Sequence, residues 1–435
     1  IPGGQAASYM DFQNSYLKFT VKNISSDKEI RFASGYDLIQ RLEILADGQT
    51  ISNINNYGVV VEQYMATEVG ADWKNHLGRA LIGCSSDPFG ALETASGLSG
   101  SMTAAEWLKD TGVTGAPALT KTSDASVTIG GTINASGPGA TFVDHGKEIT
   151  LCLPLVLCPL FAVNKYIPLV GRSNLQIRIT WADKARAFVS SSAPADTDIS
   201  YTPVSFITSI VRLSADANAM VMANTGGRFE LITSDIRCAQ GTHNVDEASL
   251  ALNCGFSFSS LDRISFAFYP YLDDQAIYGL QARSRGGLKQ YALAINGEEH
   301  PRKRIEVSST NVAEALAETC IAHRSLSDFN HQSTLRAERY ALHGDDDGNG
   351  SVSAKMGDFV AYLDTESMQP HSGDTLYSGI STLGSVVQLV AETGDASNDT
   401  FTVAADKLQQ LLVFAQFTVA LTLDMQGTQT WVVSI

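Results

Sequence analysis

Strand-like segments in the first half of this chain are followed, about half a chain later, by segments of the same kind. Few folds accommodate that. Leu17 has a counterpart in Phe229, Leu42 in Ile264, Ile149 in Phe359, Gly171 in Gly384 and Ile207 in Phe417, each pair 210 to 222 residues apart in a chain of 435. Identity between the halves is negligible, so what repeats is a plan of architecture. Each half reads as about eight strands with one helix between the early and late strands. Only the helices break the offset, because the second half has its insertion before the helix and the first has its long loop after it. The pattern predicts an all-β fold, two tandem eight-stranded jelly rolls with a short helix and long loops in each. The first would occupy residues 1–222 and the second 223–435.

The strands are read from period-two alternation. Tyr16-Leu-Lys-Phe-Thr-Val-Lys22 is one, and 29–33 and 38–45 follow; Asp47-Gly48 is a strong hairpin signal. The period then changes to four, with Val61, Met65, Val69, Trp73 and Leu77 on one side and Glu62, Gln63, Glu68, Asp72 and Lys74 between them, predicting a helix with a docking face and a wet face. Residues 84–146 are dominated by Gly, Ser, Thr, Ala and Asp, with a short helical island at 103–109, and read as a surface insertion. A strand at 204–213 precedes a seam at 214–227. In the second half the strands fall at 228–233, 249–253, 261–269, 359–363, 385–391, 413–423 and 431–435. A hairpin turns at Asn296-Gly297, and a helix over 312–323 carries Val312, Leu316 and Cys320 on one face.

The most hydrophobic stretch, Leu151 to Val163, invites a transmembrane reading that physics opposes. Its uncharged run ends at Asn164-Lys165, short of the roughly 20 residues a spanning helix needs. Pro154 and Pro159 would each remove a helical hydrogen bond. Leu175, Ile177, Ile179 and Trp181 then alternate with Gln176, Arg178 and Thr180. A buried strand, a proline-punctuated corner and a half-buried strand are expected.

A net charge of −16 opposes a sequence-independent grip on nucleic acid, and favours solubility at high local concentration. Basic residues cluster at Pro301-Arg-Lys-Arg304, as a nuclear-import or anion-binding patch or, more plainly, a solvated strand entry. Cys84, Cys152, Cys158, Cys238, Cys254 and Cys320 are scattered with neither CxxC nor zinc spacing, the pattern of buried free thiols. Asn23, Asn134 and Asn398 head formal glycosylation triplets, and no signal peptide is recognisable.

Motifs that carry catalysis are missing. There is no GxxxxGK[ST], HExxH or GxSxG, and Gly379-Ile-Ser-Thr-Leu fails at its last glycine. The eight histidines form no ligand-spaced pair. One loop is a candidate for Ca2+: Asp345, Asp347 and Asn349 stand at the first three ligand positions of a calcium loop and Gly350 at its turn glycine. The twelfth position needs an acid and holds Met356, so the competing reading is a solvated acidic loop tip. No other cofactor is expected.

Several stretches, in this order, carry a family resemblance. They are Ser15-Tyr-Leu-Lys-Phe-Thr-Val21, then Ala46-Asp-Gly-Gln-Thr-Ile51 leading into Ile54-Asn-Asn-Tyr57 and a helix, and Tyr166-Ile-Pro-Leu-Val-Gly171 before Leu175-Gln-Ile-Arg-Ile. Ala294-Ile-Asn-Gly297 with Pro301 close behind, and Ser378-Gly-Ile-Ser-Thr-Leu-Gly-Ser385, complete the series. The chain resembles the double jelly-roll major capsid proteins of tailless icosahedral double-stranded DNA viruses, the lineage of adenovirus hexon, virophages and Polinton-like viruses. The resemblance implies a virion structural protein without enzyme activity. It would form a homotrimer that makes a pseudo-hexameric capsomer and meets neighbouring capsomers, penton and minor capsid proteins. It also implies no direct nucleic-acid binding, an internal membrane as a neighbour in some members, and outward towers at 84–146, 270–290 and 325–357. The rival from another class is a secreted or surface β-sandwich carbohydrate-binding or adhesin protein, which would lean on the Asp345 loop and the glycosylation triplets.

Overall fold

A computed structural model describes residues 7–25, 30–32, 34–46, 48–84, 126–128, 132–134, 142–143, 148–169, 174–190, 195, 197–244, 247–270, 283–308, 311–328, 330–335, 340, 345–346, 352–353, 359–366, 379–394, 408–425 and 431–434. The principal elements of the first half are β1 (Ser8–Asn23), β2 (Ile39–Ala46), β3 (Gln49–Asn55), α1 (Tyr57–Glu68), β4 (Glu148–Pro154), β5 (Tyr166–Pro168), β6 (Leu175–Trp181), β7 (Ile199–Tyr201) and β8 (Ser205–Arg212). A helix, α2 (Ala215–Thr225), leads into the second half. There follow β9 (Arg228–Asn244), β10 (Ser249–Asn253), β11 (Leu261–Pro270), β12 (Gln290–Ile295), β13 (Glu298–Glu306), α3 (Ala313–Ala322), β14 (Ala361–Asp364), β15 (Val387–Glu392), β16 (Leu408–Asp424) and β17 (Trp431–Ser434).

In the second half the strands form two four-stranded antiparallel sheets, β9-β16-β11-β14 with β17 added on β16, and β10-β15-β12-β13. This is a complete jelly roll. The sheets face each other across aromatic contacts such as Phe266 to Tyr291, 5.0 Å between ring centroids. In the first half β1 lies between β8 and β4, with β7 and β5 extending the two sides, and the opposing sheet is β6-β2-β3. Phe19 on β1 reaches across to Trp181 on β6, 5.1 Å away.

The expected repeat is present, but its register needs correction. Leu17 is paired on one side with Leu153 and on the other with Phe206. Ile264 is paired in the same way with Leu363 and Ala415. Leu17 therefore corresponds to Ile264, not Phe229, and β1 corresponds to β11. Likewise Ile44 lies between Ile177 and Ser52, and Leu293 between Leu389 and His300. So β2, β3, α1, β4, β6 and β8 match β12, β13, α3, β14, β15 and β16. With this register the helices no longer break the rule, since each follows the same hairpin. The late pair Ile149 with Phe359 agrees with it, and Gly171 lies outside the described residues. The early pairs misled because β9 and β10 have no equivalent among the described residues of the first half, so the expected eight strands are seen only in the second.

Both hairpins turn as expected. Gly48 has φ +80°, and Asn296 and Gly297 have φ +52° and +85°, the left-handed pair of a type I′ turn. The hydrophobic stretch is core: Leu151, Leu153, Cys158 and Leu160 are fully buried in β4 and the irregular corner after it. No helix among the described residues is long and apolar enough to cross a membrane.

Three local expectations fail. The seam at 214–227 contains α2, capped by Ser214 Oγ accepting from Ala217 N and closed by Gly226. The four-residue stripe breaks at Val69, the C-cap of α1; Val61 and Met65 are buried, but Trp73 and Leu77 are exposed. Gln63 and Glu62, assigned to the wet face, are buried. On α3 the buried positions are Ala315, Thr319 and Ala322, while Val312 and Leu316 of the expected face are half-buried and also pack against the core. Of the towers, most of 84–146 and 325–357 lies outside the described residues, as does the helical island at 103–109. Of the described residues in these ranges, Arg283, Ser284, Arg285, Leu288 and Ser325 are buried, whereas Leu326, Ser327, Asp328 and Asn330 are exposed.

Candidate functional site

Buried polar chemistry concentrates where the two rolls meet. One side is β3 and α1; the other is β9, β11 and the segment after α3. Ser52 Oγ donates to Asp235 Oδ1 at 2.7 Å. Gln63 Nε2 donates to the Tyr269 hydroxyl and Gln63 Oε1 accepts from Ser265 Oγ, both at 2.8 Å, so each end of a fully buried amide is satisfied by the opposite roll. His323 Nδ1 bonds Glu68 Oε1. His331 Nε2 meets the Thr67 carbonyl at 2.7 Å, Ser333 Oγ and Thr334 N donate to the Ala66 carbonyl at 2.9 Å, and Lys74 Nζ donates to Thr334 Oγ1 at 3.1 Å. This explains why α1 lacks a wet face: one side packs on its own roll and the other is held by the neighbour.

Burial governs the ionisation of the seam. Asp235 is raised to about 6 by desolvation, opposed by the Ser52 hydrogen bond. Asp262, which accepts from Thr418 and Ser260, is raised to about 6 for the same reason. Burial lowers His323, against the hydrogen bond to Glu68. Burial also pushes Glu68 up, but its hydrogen bond to His323 and the nearby charges of His323 and Arg263 leave it below the ordinary range. None of this aligns a nucleophile with a base; Asp235 and His323 join one roll to the other, and Asp262 is held within the second.

The residues singled out by sequence lie elsewhere. Asp345 is in a two-residue strand, Asp345–Asp346, paired with Val352–Ser353. Asp347 and Asn349 lie outside the described residues. Among the described residues no group of three or more His, Cys, Asp or Glu is placed to hold a metal. The basic run is on β13, where Arg302 pairs with Glu298, Lys303 with Glu306 and Glu314, and Arg304 with Glu299 and Glu392. Its charge is matched by glutamates, which agrees with a solvated strand. The six cysteines are free thiols. Asn23 is fully buried at the end of β1, so its triplet is closed to a glycan in this fold. The seam residues went unnoticed in sequence because Gln63, Asp235 and His323 belong to no motif.

Among solved structures, the PBCV-1 virus capsid, as a quasi-atomic model, superposes with a TM-score of 0.51 at 12% identity, covering 100% of this chain and 94% of that one. This chain has the double jelly-roll fold. PBCV-1 VP54 fitted into a reconstruction of the virophage Sputnik gives 0.49 at 12% identity, with the same coverage. The mavirus major capsid protein gives 0.47 at 10% identity, covering 100% and 86%. No protein-family model and no curated protein sequence matches the chain. In a double jelly roll the seam is the joint between two barrels, and the chemistry found there is that of a structural joint.

Proposed function

We propose that this chain is a viral major capsid protein that trimerises into pseudo-hexameric capsomers tiling an icosahedral shell. The observation that carries the reading is the whole-chain likeness in fold to a virus capsid, which spans both rolls and nearly the full length of each partner. Residues 1–222 and 223–435 are taken as the two rolls. In support, no strand pairing among the described residues joins one side of α2 to the other. Two rolls per chain give six per trimer, the source of the pseudo-hexagon, and a surface carrying a net charge of −16 suits dense packing in water. The chain acts through surfaces rather than chemistry, within the virion, with neighbouring capsomers, penton and minor capsid proteins as partners. Ca2+ at Asp345, Asp347 and Asn349 would be a local loop stabiliser.

Sedimentation at micromolar concentration tests the reading. A trimer of 46.5 kDa chains, or larger shells, is expected. A stable monomer across that range would overturn it.

A further inference from the structure

A cavity at the joint borders a positive charge that no carboxylate answers. Glu68 at the end of α1, Asp262 and Arg263 on β11, His323 and Arg324 after α3, and Glu366 after β14 line a space of about 280 Å³. A water molecule takes up about 30 Å³ in the liquid, so the space admits an ion of several heavy atoms.

The two guanidiniums differ in their partners. Arg324 pairs with Glu366 at 2.7 Å. Arg263 donates from Nε to Gln416 Oε1 at 2.7 Å, and from Nη1 to the Ala322 carbonyl at 3.0 Å and to His323 Nδ1 at 3.2 Å. Its guanidinium also lies 5.8 Å from the centre of the Tyr362 ring. None of these partners is a carboxylate, and Arg263 Nη2 makes no hydrogen bond. A guanidinium drawn partly out of water ordinarily meets an anion, because its charge is permanent and its planar fork fits an oxyanion. The bonds from Nε and Nη1 pin Arg263 at the cavity wall and leave the other prong of the fork unused.

The acids at the wall are already engaged. Glu68 bonds His323, Glu366 bonds Arg324, and Asp262 accepts from Ser260 Oγ and Thr418 Oγ1. We infer that the cavity is a binding site for a small tetrahedral oxyanion, sulfate or phosphate, held chiefly by Arg263. The inference concerns the joint alone and does not rest on the capsid reading.

The groups around Arg263 make the site sensitive to pH. Burial raises Asp262 to about 6, so Asp262 repels an anion above that pH and ceases to do so below it. Burial lowers His323, with Arg263 and His331 acting in the same direction and Glu68 against them, so its added positive charge arrives only in more acid solution. Glu68 is held below the ordinary range and stays negative throughout, and Glu366 is matched by Arg324. Affinity for an oxyanion should therefore rise as pH falls through about 6.

Calorimetric titration of the full chain with sulfate, against chloride at matched ionic strength, tests this at about pH 5.5 and pH 8, on either side of Asp262. Sulfate is the probe because its charge does not change over that range, and phosphate should compete with it. Saturable binding at millimolar sulfate is expected at the lower pH, weakening on the order of tenfold at the higher. Asp262→Asn should remove that difference by binding more tightly at the higher pH, a gain that damage to the fold cannot produce. Arg263→Gln should weaken binding on the order of tenfold or more. Asp262→Asn remains decisive where Arg263→Gln loses stability through its bond to Ala322. Absence of saturable uptake at the lower pH would overturn the inference. So would equal uptake by Arg263→Gln, the mark of an adventitious ion only, or an unchanged affinity of Asp262→Asn at the higher pH.

Discussion

β8 and β16 occupy the same place in their rolls and have opposite surroundings. Each lies beside the central strand of its sheet, β1 or β11, yet β16 is covered by β9 and β8 is open. Burial is therefore set by neighbours rather than by position in the repeat. The difference also explains the role of β9, which serves two bodies at once. It pairs with β16 along its length, and through Asp235 it touches Ser52 of the other roll.

The largest expected contrast is between truncations on these two strands. Phe417 is fully buried and stacks on Phe258 with ring centroids 3.9 Å apart. Phe417→Ala should cost about 3–5 kcal/mol, by lost burial and the cavity left behind. Ile207→Ala, on the open strand, should cost under about 1 kcal/mol because much of its surface already meets water. Urea denaturation of both variants reads the contrast, and equal losses would show that β8 is covered in solution.

The next largest effect is charge at the joint. The folded-state pKa of Asp235, about 6, is above its ordinary 3.8. A raised acid contributes stability that is full below 3.8 and is lost as pH rises through about 6. Asp235→Asn keeps an acceptor for Ser52 without the buried charge. It should be more stable than the parent by roughly 2–3 kcal/mol at pH 8, and the two should converge near pH 4. His323 titrates in both proteins: its lowered pKa gives stability present above 6.5 and lost at lower pH, and this cancels in the difference. Thermal melts across pH 4–8 supply the measurement.

Gln63 shows where sequence reading stops. Alternation made the strands legible, because one face of each meets a core, and Gly48 and Gly297 marked both hairpins. The hydrophobic stretch at 151–181 was legible as core because charge and proline ruled out a membrane helix. The helix at Gln63 was legible too, but not its surroundings. A polar residue on a helix ordinarily faces water, and only the second roll, brought up from 200 residues away, turns that face inward. The register of the repeat was hidden for a similar reason, since strands of similar hydrophobicity can be matched in several ways and pairing alone distinguishes them. Of the three candidate ligands in the Asp345 loop, only Asp345 is among the described residues. Gln63→Ala should cost about 1–3 kcal/mol by removing the hydrogen bonds that it makes to the buried Tyr269 and Ser265 hydroxyls. Gln63→Ala combined with Ser265→Ala should recover part of that loss in a double-mutant cycle, which a simple packing role for Gln63 would not produce.

The smallest effect tests the corrected register itself. If β2–β3 and β12–β13 are the same hairpin, their turn glycines should respond alike. Gly48 and Gly297 have φ of +80° and +85°, and a Cβ at either would meet no atom within 4 Å. Alanine there pays only for a left-handed backbone, with no clash to separate the sites. Gly48→Ala and Gly297→Ala should each destabilise by about 1–2 kcal/mol, and the two values should agree within experimental error. Asparagine, which tolerates this region, should recover most of the loss at both positions. A large difference between the two alanine variants in chemical denaturation would separate the hairpins energetically and weaken the equivalence on which the match of β1 to β11 depends.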